Sequence, residues 1–347
     1  MNNTQATFGY IHLGEQSFVP DQCFAEHDVF VFCRSWEARS ISAIKRKVGG
    51  AHIVNISFEG NPADDVTDPE SDDILKRAHS EGRLTKIDLG PSTAISGNAI
   101  ALQRQLAPIL SKRDARVIFD VSSIPKAYTL SIIGWCFGDR LLPALKLFYS
   151  EGVYRHVPLN SVDPLADVKL ASFTTGPWTL TQIPFLEGNG TIEEGQKLIA
   201  FCGGDHDQIL STLAEYEHLS RWAILTSSDP VTPDEVAKRH AQSLEDSAGL
   251  SRSQILFANP LSAIDALVQC REVLKRGKSR LPAGTLVLPF STKPHSIAAA
   301  VLSLFDPSVI VLARQPTQYV GQDIIGSGTG VLITVADLSS PFVGPLL

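Results

Sequence analysis

The feature that most constrains the fold is a self-similarity running through the chain. Val29-Phe-Val-Phe-Cys33 reads like Leu198-Ile-Ala-Phe-Cys202, 169 residues further on. At that same offset Val117-Ile-Phe-Asp-Val-Ser-Ser-Ile-Pro125 reads like Leu286-Val-Leu-Pro-Phe-Ser-Thr-Lys-Pro294, and Ile53-Val-Asn-Ile56 meets Trp222-Ala-Ile-Leu225. After a four-residue slip, Leu145–Tyr149 meets Ile310–Arg314 and Tyr154 falls on Tyr319. One such pair is chance, because short apolar runs are common. Three runs in one register, at nearly half the chain length, point to an internal duplication. Two adjacent domains of one common fold would repeat the order without the fixed offset.

Each half alternates strand and helix. The runs Val29–Cys33, Ile53–Ser57, Arg116–Val121 and Leu145–Tyr149 are short and rich in β-branched or aromatic residues, the pattern of strands buried on both faces. A weaker run at Lys86–Leu89 is mirrored by Gln254–Phe257. Helical patterns lie between them at Ala38–Val48, Asp72–Glu81, Asn98–Lys112 and Lys126–Phe137. The second half offers Gln208–His218, Pro233–Ser247, Ala263–Arg276 and His295–Phe305. Strands separated by helices of this length imply right-handed βαβ crossovers and a parallel sheet. The expected class is α/β: two tandem Rossmann-like three-layer units, mostly parallel, internally duplicated, each with its first strand central beside the fourth. The expected boundaries are 1–160 and 196–347. A β-hairpin over 161–195 is expected between them, built from Asp167–Phe173 and Trp178–Ile183, with Gly330–Val335 as a tail strand able to cross-pair.

Composition narrows the function. The 347 residues are 44% hydrophobic and 19% charged, which excludes disorder as the main state, and the length suits two domains. No stretch approaches the roughly 20 apolar residues of a membrane span, and Met1–Gln16 shows no secretory pattern. Five cysteines without a C-x-x-C pair fit reduced thiols in a cytoplasmic protein better than disulfides or zinc. The net charge of −7 disfavours extensive duplex nucleic-acid binding. Pro62–Asp73 carries six carboxylates and no base, but misses the calcium-loop spacing and reads as a solvated loop. The basic runs Lys45–Lys47 and Lys275–Arg280 close expected helices and read as surface features. No metal site or cofactor is expected.

Open parallel sheets bind ligands beyond the carboxyl ends of their strands, where the strand order reverses. Here that means the loops after the first and fourth strand of each half. Ser122-Ser123-Ile-Pro-Lys126 and Ser291-Thr292-Lys293-Pro-His295 each place hydroxyls and a proline at a helix start. These residues serve either as caps or as an anion site, where free N–H groups, the dipole, Lys126, Lys293 and His295 would hold phosphate or carboxylate. After the first strand stand Arg34-Ser35-Trp36-Glu37-Ala-Arg39 and Gly203-Gly204-Asp-His-Asp207. The arginines suit an anion and Trp36 a stacked base, or the run is a helix start with a buried tryptophan. Gly203 and Gly204 allow close backbone approach, yet neither G-x-G-x-x-G nor a P-loop is present. Asp120 ends the fourth strand and could act as a base, but Pro289 stands at its counterpart. No nucleophile elbow, zincin motif or Cys–His pair completes a catalytic set, and Cys33 and Cys202 read as buried apolar residues.

In outline, over Asp28–Val335, such a duplicated unit with hydroxyl-rich switch-point loops resembles the paired CARF and SAVED sensor domains of prokaryotic antiviral systems. The resemblance implies a pocket for a nucleotide second messenger, and a separate effector protein as partner. Two readings follow. One is a non-catalytic sensor or regulatory subunit binding an anionic, nucleotide-like ligand in a pseudo-two-fold cleft. The other is an enzyme acting on a nucleotide or phosphosugar through Asp120 and Glu37, or a scaffold subunit of a larger complex.

Overall fold

The computed structural model describes residues 3–18, 28–35, 37–41, 44–45, 50–60, 68–110, 116–138, 142, 144–154, 174–203, 206–276, 284–319 and 324–339. In chain order these form β1 (Asn3–Phe8), β2 (Ile11–Phe18), β3 (Val29–Cys33), β4 (His52–Phe58), α1 (Pro69–Ser80), β5 (Leu84–Leu89), α2 (Ile95–Leu110), β6 (Val117–Asp120), α3 (Lys126–Gly138) and β7 (Ala144–Tyr154). There follow β8 (Thr174–Gln182), β9 (Lys197–Cys202), α4 (His206–Glu215), β10 (Ser220–Thr226), α5 (Glu235–Ala248), β11 (Ile255–Ala258), α6 (Ala263–Lys275), β12 (Thr285–Pro289), α7 (Lys293–Phe305), β13 (Val309–Tyr319) and β14 (Ile324–Asp337). The chain divides into two compact units, Met1–Arg155 with Thr317–Leu347, and His156–Pro316.

The first unit holds the sheet β1-β2-β14-β7-β6-β3-β4-β5, and the second holds β11-β10-β9-β12-β13-β8. Within each, the first strand of the repeat (β3 or β9) is central and lies beside the fourth (β6 or β12), all in parallel. Such strands are covered on both faces, which explains their unbroken apolar runs: all five residues of β3 are buried, and all five of β12. The second core gathers Leu198, Ala200, Leu286 and Leu288 from the sheet with Ile209, Leu213, Ala241 and Leu244 from α4 and α5. The α/β architecture with mostly parallel sheets is therefore as the sequence predicts.

The pairing registers of the two units correspond. Val29 of β3 pairs with His52 and Val117, and Leu198 of β9 pairs with Arg221 and Leu286, each residue 169 positions from its counterpart. The next pairing carries the four-residue slip: Ile118 faces Lys146 in the first unit, and Val287 faces Val311 in the second.

Three expectations need correction. First, the boundaries differ from 1–160, 161–195 and 196–347. The tail run Gly330–Val335 lies in β14, which pairs antiparallel with both β2 and β7 and so belongs to the first unit. Second, β8 is not a linker strand but the edge of the second sheet, beside β13, whose outer backbone groups would otherwise lack partners. Its expected hairpin mate Asp167–Phe173 lies outside the described residues. Third, the helix expected over Ala38–Val48 is, among the described residues, a single 3-10 turn at Ala38–Ile41. The Ser40 hydroxyl donates to the Ser35 carbonyl (3.2 Å) and accepts the Ser35 N–H (3.3 Å), tying this turn to the end of β3; residues 42–43 and 46–48 lie outside the described residues.

The hairpin β1–β2 carries no apolar alternation strong enough to announce it. Phe8 pairs with Ile11 across the two-residue turn Gly9-Tyr10, and Gly9 takes φ 61°, the left-handed region a tight hairpin turn demands.

Candidate functional site

The loops expected to hold a ligand do sit at the carboxyl ends of β3, β6, β9 and β12, but the two units use them differently. In the first unit the loop hydroxyls are spent on the fold. The Ser122 hydroxyl accepts the Ser150 N–H at 2.8 Å, tying the end of β6 to β7, and both serines are buried. Ser123 donates to the Cys33 carbonyl at 2.5 Å, tying the same loop to β3. Neither hydroxyl is a helix cap, because α3 starts one turn later on the Pro125 carbonyl, which accepts from Tyr128 and Thr129. Ser35 is buried and accepts the Glu37 N–H at 3.2 Å.

The arginines expected to grip an anion already face carboxylates of the chain. Arg34 pairs with Asp72 at 2.8 Å. Arg39, 5% exposed, pairs with Glu37 at 2.5 Å, donates to the Ser150 carbonyl at 3.1 Å and stands 5.7 Å over the Tyr149 ring. Room for that guanidinium comes from Gly152, where a Cβ would approach Arg39 Nη1 to 2.8 Å. Asp120 is buried, and its Oδ1 accepts the Ser122 N–H at 2.9 Å, a turn-closing role. Lys126 opens α3 and is half-buried. Trp36 lies outside the described residues.

The second unit has a different balance. Ser291 is 4% exposed, and its Oγ has no hydrogen-bond partner among the described residues. Burying a hydroxyl in this way costs about 1–3 kcal/mol, so it calls for a reason. The next residue, Thr292, is the N-cap of α7, yet its side chain makes no cap bond; the hydroxyl donates instead to the Pro260 carbonyl at 2.7 Å. Lys293 and Pro294 fill the first turn, which carries no acidic residue. Neither Thr292 nor an acidic residue of the first turn therefore caps the positive dipole end of α7. Lys293 is 8% exposed.

Gly203, at the end of β9, closes the other side. A Cβ there would stand 3.1 Å from Ser291 Cα, 3.3 Å from the Phe290 carbonyl oxygen and 3.6 Å from Ser291 Oγ. The missing side chain lets the two switch-point loops approach with the unbonded hydroxyl between them. Gly204 lies outside the described residues.

His295 differs from its expected role as a charge facing the ligand. Its ring is fully buried, 5.4 Å from the Phe201 ring, and Nε2 donates to the Asn259 carbonyl at 2.9 Å. It ties the turn after β11 to α7 and positions the helix. Asn259 is itself fixed by accepting at Oδ1 from Leu261 N–H and donating its backbone N–H to Asp265.

Sequence reasoning overlooked a neighbouring cluster. The Arg314 guanidinium lies 5.3 Å from the Trp178 ring, and Trp178 meets Phe290 edge-on at 6.4 Å and 75°. These three come from β13, β8 and the residue before Ser291. Trp178 and Phe290 were the only available signal, and aromatic residues are equally common in cores.

Among the described residues no group of three metal-ligating side chains comes together. Cys202 is buried and burial pushes its thiol up to about 12, away from the range of a nucleophile. No described helix is long and apolar enough to cross a membrane.

The arrangement defines a class: α/β units with mostly parallel sheets, whose candidate loops stand at the carboxyl ends of the strands. No family model matches the chain, and no curated protein does. Among solved structures it is similar to a universal stress protein candidate from Pseudomonas aeruginosa UCBPP-PA14, at 12% identity, covering 84% of this chain and 94% of that one, with a TM-score of 0.24. It is also similar to the adenylation, ketoreductase and pseudo-Asub multidomain structure of a keto acid-selecting NRPS module, at 9% identity and a TM-score of 0.23, covering 87% of this chain and 31% of that one.

Proposed function

We propose that the second unit binds an anionic, nucleotide-like small molecule at the carboxyl ends of β9 and β12, and that the chain acts as a sensor or regulatory subunit rather than as an enzyme. The observation that carries this reading is the Ser291 hydroxyl, buried without a partner beside an α7 N-terminus whose own cap residue is turned away. A phosphate oxygen there would accept from Ser291 and the first N–H groups of α7, and Lys293 would supply charge. In the first unit the equivalent hydroxyls and arginines are already bonded within the chain. That supports a single binding unit, with the first serving as a structural counterpart. The likeness in outline to CARF and SAVED sensors, and a separate effector protein as partner, belong to this same proposal. The enzyme reading has less support, because Asp120 closes a turn and Glu37 is paired with Arg39.

The test is calorimetric titration of inorganic phosphate, pyrophosphate and nucleoside monophosphates into wild-type protein and Ser291→Ala. A hydrogen bond to a charged group contributes about 1.5–3 kcal/mol, so the variant should bind roughly ten- to a hundredfold more weakly. Its melting temperature should be unchanged or higher, since the substitution removes an unbonded buried hydroxyl. Equal binding by both proteins, or no binding by wild type at millimolar concentration, overturns the reading.

A further inference from the structure

Beside the proposed anion site, side chains of β8, β13 and the end of β12 form a layered group. Leu180, Leu312 and Phe290 pack on one core cluster of the second unit. Trp178 lies two residues before Leu180, and Arg314 two after Leu312, so period-two alternation puts both on that same face, towards the strand ends. The Thr181 hydroxyl donates to Gln315 Oε1 at 2.8 Å on the neighbouring positions and locks β8 against β13. The Arg314 guanidinium carbon stands 5.3 Å from the centroid of the Trp178 ring, and Phe290 meets that ring edge-on. All three side chains are half-buried and keep an accessible part. β12 and β13 are adjacent parallel strands, about 4.8 Å apart, so this platform lies one strand spacing from the loop that holds Ser291.

We propose that Arg314, backed by Trp178 and Phe290, is the platform on which the base of a nucleoside phosphate stacks while its phosphate lies on Ser291 and the α7 N-terminus. This rests on the anion-site reading above and narrows it: the ligand class is a nucleoside phosphate, not a sugar phosphate or an inorganic anion. A guanidinium plane held against an indole presents a flat, weakly hydrated cationic surface that suits a base of any sequence. A lysine would offer the charge without the plane.

The experiment compares adenosine monophosphate with ribose 5-phosphate by calorimetry, using the full chain as wild type, Arg314→Lys, Trp178→Phe, Trp178→Leu and Ser291→Ala. Base stacking strengthens binding by about five- to a hundredfold, so wild type should prefer the nucleotide by a factor in that range. Arg314→Lys and Trp178→Leu should bring the nucleotide's affinity down to that of ribose 5-phosphate and leave ribose 5-phosphate unchanged. Trp178→Phe, which keeps a ring and the packing, should retain most of the preference. Equal affinity for the two ligands in wild type, still weakened by Ser291→Ala, overturns the platform and leaves the anion site standing. A preference that survives Arg314→Lys and Trp178→Leu overturns it too, as does an equal loss of both ligands in Arg314→Lys, which would make Arg314 a phosphate contact. Failure of both ligands to bind wild type removes the anion site and the platform together.

Discussion

Ser122 and Ser291 stand 169 positions apart at the same place in two sheets, yet one hydroxyl is bonded and the other is not. The difference predicts opposite outcomes for one chemical change. Ser122→Ala leaves the Ser150 N–H buried without its acceptor, which should cost about 1–3 kcal/mol and show as a lower denaturant midpoint at constant m. Ser291→Ala should cost nothing. Sequence reasoning located both residues because strand-end loops are legible from the alternation of strand and helix. It could not divide them, because hydrogen-bond partners such as the Ser150 N–H and the Cys33 carbonyl come from other strands, and no local pattern records them. The same holds for Arg34: its charge is visible in the sequence, but its partner Asp72 sits on a helix 38 residues away.

Helices were easier to place than their ends. Asp68 sits within the acidic stretch read as a solvated loop, yet it is the N-cap of α1: its side chain accepts the Ser71 N–H at 2.9 Å and pairs with Lys45 at 2.6 Å. Burial works against the carboxylate, and Lys45 with Ser71 outweighs it, holding the group below the ordinary aspartate value. A lowered folded-state pKa contributes stability above the ordinary value of 3.8 and loses it as the pH falls through the folded one. Asp68→Ala should therefore cost about 0.5–2 kcal/mol at neutral pH, with the gap from wild type closing in acid; denaturant melts at pH 7 and pH 3 read both. Strands buried on both faces were recognised from composition alone, as β3 and β12 show. β1 and β2 escaped because Gly14, Glu15 and Gln16 interrupt the apolar pattern in β2, whose pairing with β14 decides its state. Local propensity gave way to a partner more than 300 residues along the chain.

For the whole molecule, strand order matches between the units and register matches at an offset of 169 up to the four-residue slip, so we expect the backbones of 28–154 and 197–319 to superpose with Cys33 on Cys202. An experimental structure in which those two cysteines occupy different strand positions would end that expectation. The placement of β14 carries a separate consequence, for synthesis. β7 of the first unit is flanked on one side by β6 and on the other by a strand translated only after the entire second unit. A chain emerging from the ribosome therefore presents β2 and β7 with open edges while some 160 residues of other structure are made, a window in which edge-to-edge association competes with folding. The second unit can complete its sheet during that window, the first cannot. A released fragment ending at residue 319 should show protease resistance across the second unit and cleavage within β2 or β7, and the full chain should resist that cleavage. Each ribosome would thus finish the first unit after the second.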